Sequence, residues 1–229
     1  MPARKKEPKD LTAKKNLALE VIDRLKKEYP DAGCTLDYDH AWQLLVSVRL
    51  AAQCTDARVN IVVEDLFARY PSVAALAAAE PEDIEAIVKP CGLGHSKARD
   101  ISACMRMLRD KYNCQVPTTF EELLALPGVG RKSANLIMGD VFSKPAIVTD
   151  THCIRLCNKI GLVDGIKEPQ KVEMALWKII PPEEGSDLCH RFVMHGRAVC
   201  NARKPECEKC CLNDICRYAR EQSGADTAQ

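Results

Sequence analysis

Apolar residues recur at every third or fourth position through most of the chain, which is the spacing of one face of an α-helix. In the first such segment Leu17, Val21 and Leu25 form one stripe. The segment from Ala41 to Ala52 is apolar nearly all round, which predicts a buried central helix. With capping residues, glycine and proline as boundaries, the pattern predicts helices over 11–29, 41–52, 55–68, 72–79, 82–88, 96–112, 118–126, 131–142, 151–160, 170–180 and 187–199.

The pattern gives little support for a β-sheet. The one extended stretch, Ala146-Ile147-Val148, is short and has no partner strand. Local capping signals agree with helices: Thr118 and Glu121 have the spacing of a capping box for the helix that ends near Leu126. The predicted fold class is therefore all-α.

Composition narrows the class of protein without naming a function. The chain has 229 residues, of which 46% are hydrophobic and 28% charged, enough for one large core or two small ones. The net charge is only +1, so any nucleic-acid-binding surface must come from local clustering. No apolar run approaches the roughly 20 residues that cross a bilayer. The basic residues of 1–7 precede no apolar stretch, so we expect no signal peptide and a cytoplasmic protein.

The most informative segment is a glycine hairpin, Leu126-Pro127-Gly128-Val129-Gly130, between two predicted helices. Glycine permits backbone angles closed to other residues and leaves the backbone N–H groups open. The following helix adds the partial positive charge of its N-terminus, so the turn suits a backbone phosphate. A bare Gly-x-Gly is more often an ordinary turn, but here the two cations Arg131 and Lys132 follow it.

Two residues near the hairpin are candidates for chemistry. Lys132 lies in the first turn of a predicted helix, where the helix dipole disfavours a cation. Its amine is either a nucleophile or a plain phosphate contact, and local sequence does not separate the two. Asp150 precedes another helix, so it is an N-cap, a carboxylate that stabilises a cationic sugar or assists a nucleophile, or both. His152 is interpreted as structural.

The 13 cysteines fall into two groups, eight that are scattered and five that cluster over residues 200–216. Eight have no ligand spacing and are interpreted as small core residues: Cys34, Cys54, Cys91, Cys104, Cys114, Cys153, Cys157 and Cys189. Four others, Cys200, Cys207, Cys210 and Cys216, have the spacing of a [4Fe–4S] or zinc ligand set. Zinc ribbons normally pair two tight knuckles and this loop has one, so the cluster is favoured over zinc. Cys211 adjoins Cys210 and is a possible competitor.

Cations surround this cysteine loop. Some of them offset thiolate charge, and the rest form a basic patch that could meet DNA. The residues concerned are Arg197, Arg203, Lys204, Lys209, Arg217 and Arg220.

Taken together, the segments Leu126–Asn135 and Val148–His152 and the four-cysteine loop resemble the endonuclease III family of helix-hairpin-helix DNA glycosylases. The resemblance runs from about Leu11 to Tyr218. It implies two all-α domains with a DNA-binding cleft between them. One is a six-helix domain over 34–144 that holds the hairpin. The other joins 1–33 to 145–220 and holds a [4Fe–4S] cluster, with 221–229 as a flexible tail.

The resemblance also implies a reaction and the residues that carry it. The partner is double-stranded DNA with an oxidised pyrimidine or an abasic site, bound by a monomer. Lys132 attacks C1′ of the flipped nucleotide, Asp150 supports the nucleophile and the developing sugar charge, and β-elimination cuts the strand on the 3′ side. Gln53 fills the vacated space and Leu93 is a wedge beside it. The remaining DNA contacts implied are Gly128, Val129, Gly130 and Arg131.

Three alternatives stay open from the residues. A monofunctional adenine-type mismatch glycosylase lacks the lysine that this chain has at Lys132. A non-catalytic iron–sulfur DNA-binding or electron-transfer protein keeps the hairpin and the cysteines but does not need both Lys132 and Asp150. A zinc-containing DNA-binding module is the third. One departure from the family pattern is Met138-Gly139-Asp140, which places a glycine and an acid in the helix after the hairpin.

Overall fold

Helices account for all the regular secondary structure of residues 9–224, the part of the chain that the computed structural model describes. The predicted all-α class is confirmed, and residues 146–148 form no strand. The helices are α1 (Lys9–Glu28), α2 (Ala41–Leu50), α3 (Asp56–Arg69), α4 (Val73–Ala78), α5 (Pro81–Val88), α6 (Gly94–Tyr112), α7 (Phe120–Leu124), α8 (Arg131–Asp140), α9 (Thr151–Ile160), α10 (Pro169–Leu176), α11 (Gly185–Ala198) and α12 (Arg217–Gln222). Residues 1–7 and 225–229 lie outside this range, and of the predicted flexible tail 221–229 the first two residues belong to α12.

Several predicted boundaries are wrong for identifiable reasons. The cap of α7 is Thr119 rather than Thr118: its Oγ1 accepts from the Glu122 N–H at 3.3 Å and lies 2.6 Å from Glu122 Oε2. Helix α10 ends at Leu176 rather than near residue 180, because bonds of three-residue spacing interrupt it there (Lys178 N to Ala175 O, 3.2 Å, and Ile179 N to Leu176 O, 3.0 Å). The six residues of α12 were missed because so short a helix shows no period.

Contacts between Cα atoms divide the chain into two units, and residues 34–144 form one of them. This unit contains α2 to α8. Helix α2 lies in its core, as the all-round apolar pattern predicts, with Leu44, Leu45, Val46 and Leu50 buried. Helix α6 packs against α4 and α5. The unit thus presents the hairpin between α7 and α8 from a helical core.

The other unit joins residues 9–33 to 145–224 among those described. Helix α11 packs against α9 and α1, with Phe192 fully buried. Its first residue, Gly185, lies so close to the backbone of Ala146 that a Cβ would come within 2.4 Å of the carbonyl oxygen. The extended segment that leads to α9 is thereby held against α11. None of the described helices is long and apolar enough to cross a membrane.

The scattered cysteines are free thiols within both units. Five are buried, as the core interpretation predicts: Cys91, Cys104, Cys153, Cys157 and Cys189. Cys34, Cys54 and Cys114 are half-buried instead. Burial raises the pKa of Cys104 to about 12, so this thiol stays protonated at neutral pH.

Candidate active site and candidate metal site

The hairpin turns between α7 and α8 with its leucine buried and its glycines at the surface. Leu126 is 2% exposed, and its carbonyl accepts from the Val129 N–H at 3.1 Å. Gly130 is the N-cap residue of α8 and has no side chain with which to cap it. The first N–H groups of a helix have no intrahelical acceptor. The start of α8 is therefore suited to an anion supplied from outside.

Gly128 is required both by its backbone angle and by its neighbours. Its φ of +75° lies in the left-handed region that glycine adopts without strain. A Cβ there would lie 2.8 Å from Asp100 Cβ and 3.2 Å from Arg49 Cδ. Asp100 and Arg49 form an ion pair with Arg49 Nε 2.7 Å from Asp100 Oδ2. This ion pair packs against the hairpin at Gly128. Sequence reasoning missed it, because the partners lie on α2 and α6 with no local signal.

The two cations after the hairpin have different surroundings. Arg131 is half-buried, and its guanidinium carbon lies 5.0 Å from the centre of the Phe120 ring. Lys132 is exposed in the first turn of α8. The hairpin residues Gly128, Val129 and Gly130 therefore lie next to an exposed amine, in one continuous surface of the 34–144 unit.

Asp150 is fixed at the start of α9. Its Oδ1 accepts from the Cys153 N–H at 2.7 Å, so the predicted N-cap is present. The extended segment before it is anchored by Cys189, whose Sγ accepts from the Val148 N–H at 3.2 Å. Cys189 was interpreted only as a core residue, and no sequence signal indicated this contact. The result is a half-buried carboxylate with a defined backbone position.

His152 belongs to the packing of its unit rather than to an open site. Its Nδ1 lies 3.1 Å from Arg155 Nη2 and would come within 2.4 Å of a Cβ at Gly196. Arg155 also donates to the carbonyl oxygens of Gly196 and Cys200 at 3.3 and 3.0 Å. These contacts fit the structural interpretation of His152.

Gln53 and Leu93 are both exposed turn residues with left-handed backbone angles. Their φ values are 60° and 51°. Local sequence would assign Leu93 to the core, but its side chain is 57% exposed. A large apolar side chain held outward in a strained conformation is unusual and is typical of a functional position. The structure therefore leaves both side chains accessible to a ligand of the 34–144 unit.

The four cysteines lie in one loop that α11 and α12 bracket. Cys200 follows α11, Cys207 and Cys210 bound a single 3₁₀ turn, and Cys216 is the N-cap residue of α12. Cys200 is within electrostatic range of Cys210 and Cys216, and Cys216 of Cys207 and Cys210. Cys210 Sγ also lies 3.3 Å from Nε2 of the buried His195.

The loop is attached to α1 within the same unit. Arg24 donates to the Cys211 carbonyl oxygen at 3.0 Å and pairs with Asp214 through two nitrogens. Within residues 9–224, no group of three or more His, Cys, Asp or Glu is close enough to hold a metal ion. The four cysteines lie near one another in the loop between α11 and α12.

The basic patch around the loop is only partly available for DNA. Arg217 is used internally, since it pairs with Asp164 at 2.6 Å and donates to the Asn158 carbonyl oxygen at 2.8 Å. Lys209 pairs with Glu206. Arg197, Arg203, Lys204 and Arg220 are exposed.

Comparison with known proteins identifies the family to which this hairpin and helical fold belong. The model of the HhH-GPD superfamily, described as base excision DNA repair proteins, matches residues 46–182, which include Lys132 and Asp150. The chain is 42% identical over 211 residues to Endonuclease III of Synechocystis sp., covering 92% of this chain and 96% of the relative. It is 38% identical to Endonuclease III of Escherichia coli K12, covering 87% and 94%.

Solved structures agree with the sequence relatives. A non-covalent Endonuclease III–DNA complex matches with a TM-score of 0.86 and 40% identity, covering 92% of this chain and 98% of that one. A trapped covalent Endonuclease III–DNA intermediate matches with the same score and identity, covering 91% and 98%. The chain therefore belongs to the HhH-GPD superfamily of base excision DNA repair proteins, as a DNA glycosylase with AP lyase activity.

Proposed function

We propose that this enzyme removes oxidised pyrimidines from duplex DNA and then cleaves the strand 3′ to the abasic site by β-elimination. It acts as a monomer, with Lys132 as the nucleophile and Asp150 as the supporting carboxylate. The observation that carries the proposal is the exposed Lys132 amine in the first turn of α8, directly after a hairpin without a side-chain cap. A phosphate bound at that hairpin would place a sugar beside the amine.

The Lys132 amine accounts for both halves of the reaction. Its attack on C1′ breaks the bond to the base, which leaves with the electron pair and takes up a proton. Opening of the sugar ring gives a protonated Schiff base between Nζ and C1′. Loss of a proton from C2′ then expels the 3′ phosphate oxygen, and water releases the amine from the sugar fragment. One nucleophile therefore both excises the base and cuts the strand.

Asp150 would stabilise the positive charge that develops at C1′ while the base leaves. A fixed carboxylate is effective in this role because it needs no reorganisation during the reaction. The cap to Cys153 and the anchoring of Val148 by Cys189 supply that fixation.

Substrate binding would use two surfaces of the 34–144 unit. The backbone of Gly128, Val129 and Gly130, with Arg131, would bind a phosphate at the start of α8. Gln53 would pair with the base left without a partner, and Leu93 would stack beside it. The left-handed conformation and exposure of both turn residues support this assignment.

Lesion preference tests this function directly. In single-turnover assays we expect release of dihydrouracil or thymine glycol from duplex DNA to be at least about 10²-fold faster than release of adenine opposite 8-oxoguanine. Strand cleavage should follow excision without added base. Preferential release of adenine, or excision that stops at an intact abasic site, would contradict the proposal.

The four-cysteine loop fits a [4Fe–4S] cluster better than a zinc ion. Zinc ribbons normally pair two tight knuckles. This loop has one, Cys207–Cys210, with wider spacings to Cys200 and Cys216, and such a set of four thiolates suits a [4Fe–4S] cluster. Cys200, Cys207, Cys210 and Cys216 would hold the cluster, which supplies a cross-link between α11 and α12.

Metal analysis of the purified holoprotein tests this assignment. We expect about four irons per chain and a broad absorption band near about 400 nm. Changing any one of the four cysteines to serine should lower both signals, whereas Cys211→Ser, the matched control in the same loop, should keep them. Stoichiometric zinc without the band, or loss of iron in Cys211→Ser, would refute this ligand set.

A further inference from the structure

Lys97 is a fully buried lysine on the apolar face of α6. Its side chain is 0% exposed, and it shares that face with the buried residues Ile101 and Leu108. Lysine is almost never fully buried unless its ammonium group is satisfied. Here Nζ donates to two backbone oxygens, those of Leu50 and Cys91, each at 2.8 Å.

The two acceptor carbonyl groups belong to the last residues of two separate segments of the 34–144 unit. Leu50 is the last residue of α2, and Cys91 is the last residue of the 3₁₀ turn Lys89–Cys91. Carbonyl groups at a helix end have no intrahelical donor and carry partial negative charge. A buried cation is therefore stabilised there, although burial lowers the pKa of Lys97.

Each of these segments leads within three residues to a strained turn. Gln53, with φ of 60°, follows Leu50, and Leu93, with φ of 51°, follows Cys91. A left-handed conformation is strained in a non-glycine residue and persists only where the surroundings hold it. Lys97 hydrogen-bonds to a carbonyl group just before each turn, so its ammonium group links the two turns.

We propose that Lys97 is a positioning residue that holds the Gln53 and Leu93 turns in fixed relation, so that both side chains enter the duplex together. The inference rests on the function proposed above for these two residues. It assigns Lys97 to base extrusion and not to the reaction at C1′. Loss of the ammonium group would leave two buried carbonyl oxygens without a donor and release one turn from the other.

The test compares two DNA substrates with Lys97→Met, which keeps most of the side-chain volume and removes the donor. Extrusion of a paired base requires unstacking, so we expect about tenfold or greater loss of single-turnover excision from a paired dihydrouracil duplex. At a preformed abasic site, where no base has to be extruded, β-elimination should fall less than about threefold. Equal losses on both substrates would overturn the inference.

Leu108→Ala is the matched control, since Leu108 is equally buried on the same face of α6, three helical turns from Lys97. It lowers stability without removing a bond to either turn, so the ratio of the two rates should stay at the wild-type value. A shift of this ratio as large as that of Lys97→Met would mean that general destabilisation explains the effect.

A mutant cycle connects Lys97 to the two turns. In the background of Gln53→Ala and Leu93→Ala, adding Lys97→Met should change paired-duplex excision by less than about twofold, because residues that act as a unit are not additive. Full additivity would contradict the inference. Wild-type protein that excises no oxidised pyrimidine would instead contradict the proposed function, so the two failures are distinct.

If the Lys97→Met protein does not fold, two further measurements test the inference. Lys97→Gln retains an amide donor and should lose less paired-duplex excision than the Gln53→Ala and Leu93→Ala double variant. In wild-type protein labelled with ¹⁵N-lysine, one ammonium group should exchange its protons far more slowly than the others. Absence of a protected ammonium signal would contradict the two buried hydrogen bonds that Lys97 Nζ donates.

Discussion

Replacing Lys132 by alanine is expected to abolish covalent attachment to DNA and to slow base excision by about 10³-fold or more. The residue is exposed in the first turn of α8, so its removal leaves the packing of that helix intact. The buried positions Ala134 and Ile137 hold the helix in place. The loss should therefore appear in the single-turnover rate while the melting temperature stays near that of the wild type.

The matched control for this variant is Lys111→Ala, which removes an exposed lysine from α6 of the same unit. It changes net charge equally, so it corrects for the general electrostatic contribution to DNA binding. Lys132→Arg adds a second comparison because it retains the charge without a nucleophilic amine. Excision by Lys132→Arg near the wild-type rate would reduce Lys132 to a phosphate contact.

Changing Asp150 to asparagine is expected to slow excision by about 10²–10³-fold while DNA binding is kept. Asparagine caps a helix about as well as aspartate. The bond to the Cys153 N–H therefore survives, and only the negative charge is lost. The effect should be on the single-turnover rate and not on the dissociation constant for duplex DNA.

Comparison with Asp150→Ala separates the two roles of this residue. Alanine removes the cap and the charge together, at a cost of about 0.5–2 kcal/mol in the free energy of unfolding. If Asp150→Asn excises like the wild type while Asp150→Ala does not, the residue is a cap only. Asp31→Asn, which neutralises an exposed acid of the same unit, controls for a general change of charge.

Helices with strong periodicity and local caps were predictable from the sequence. Helix α9 runs from Thr151 to Ile160 as predicted, because Asp150 caps its start and Gly161 adopts a left-handed angle at its end. The exposed Lys132 was likewise placed correctly at the start of α8. These features depend on residues close together in the chain.

Features that depend on distant contacts were not predictable. Without the family resemblance Leu93 reads as a core residue, whereas the fold places it outward in the turn after Cys91. The fit of Gly128 against Asp100 and Arg49 joins three segments. Lys97 did leave a signal, a charged residue on an otherwise apolar helix face, but its two acceptors lie 47 and 6 residues away.

The proposed reaction requires the Lys132 amine to form the covalent bond to DNA. Borohydride reduction during reaction with an oxidised-pyrimidine duplex, followed by peptide mapping of the adduct, tests it most directly. We expect one protein–DNA adduct per chain, located on Lys132 and absent from Lys132→Ala. An adduct on any other residue, or undiminished trapping by Lys132→Ala, would contradict it.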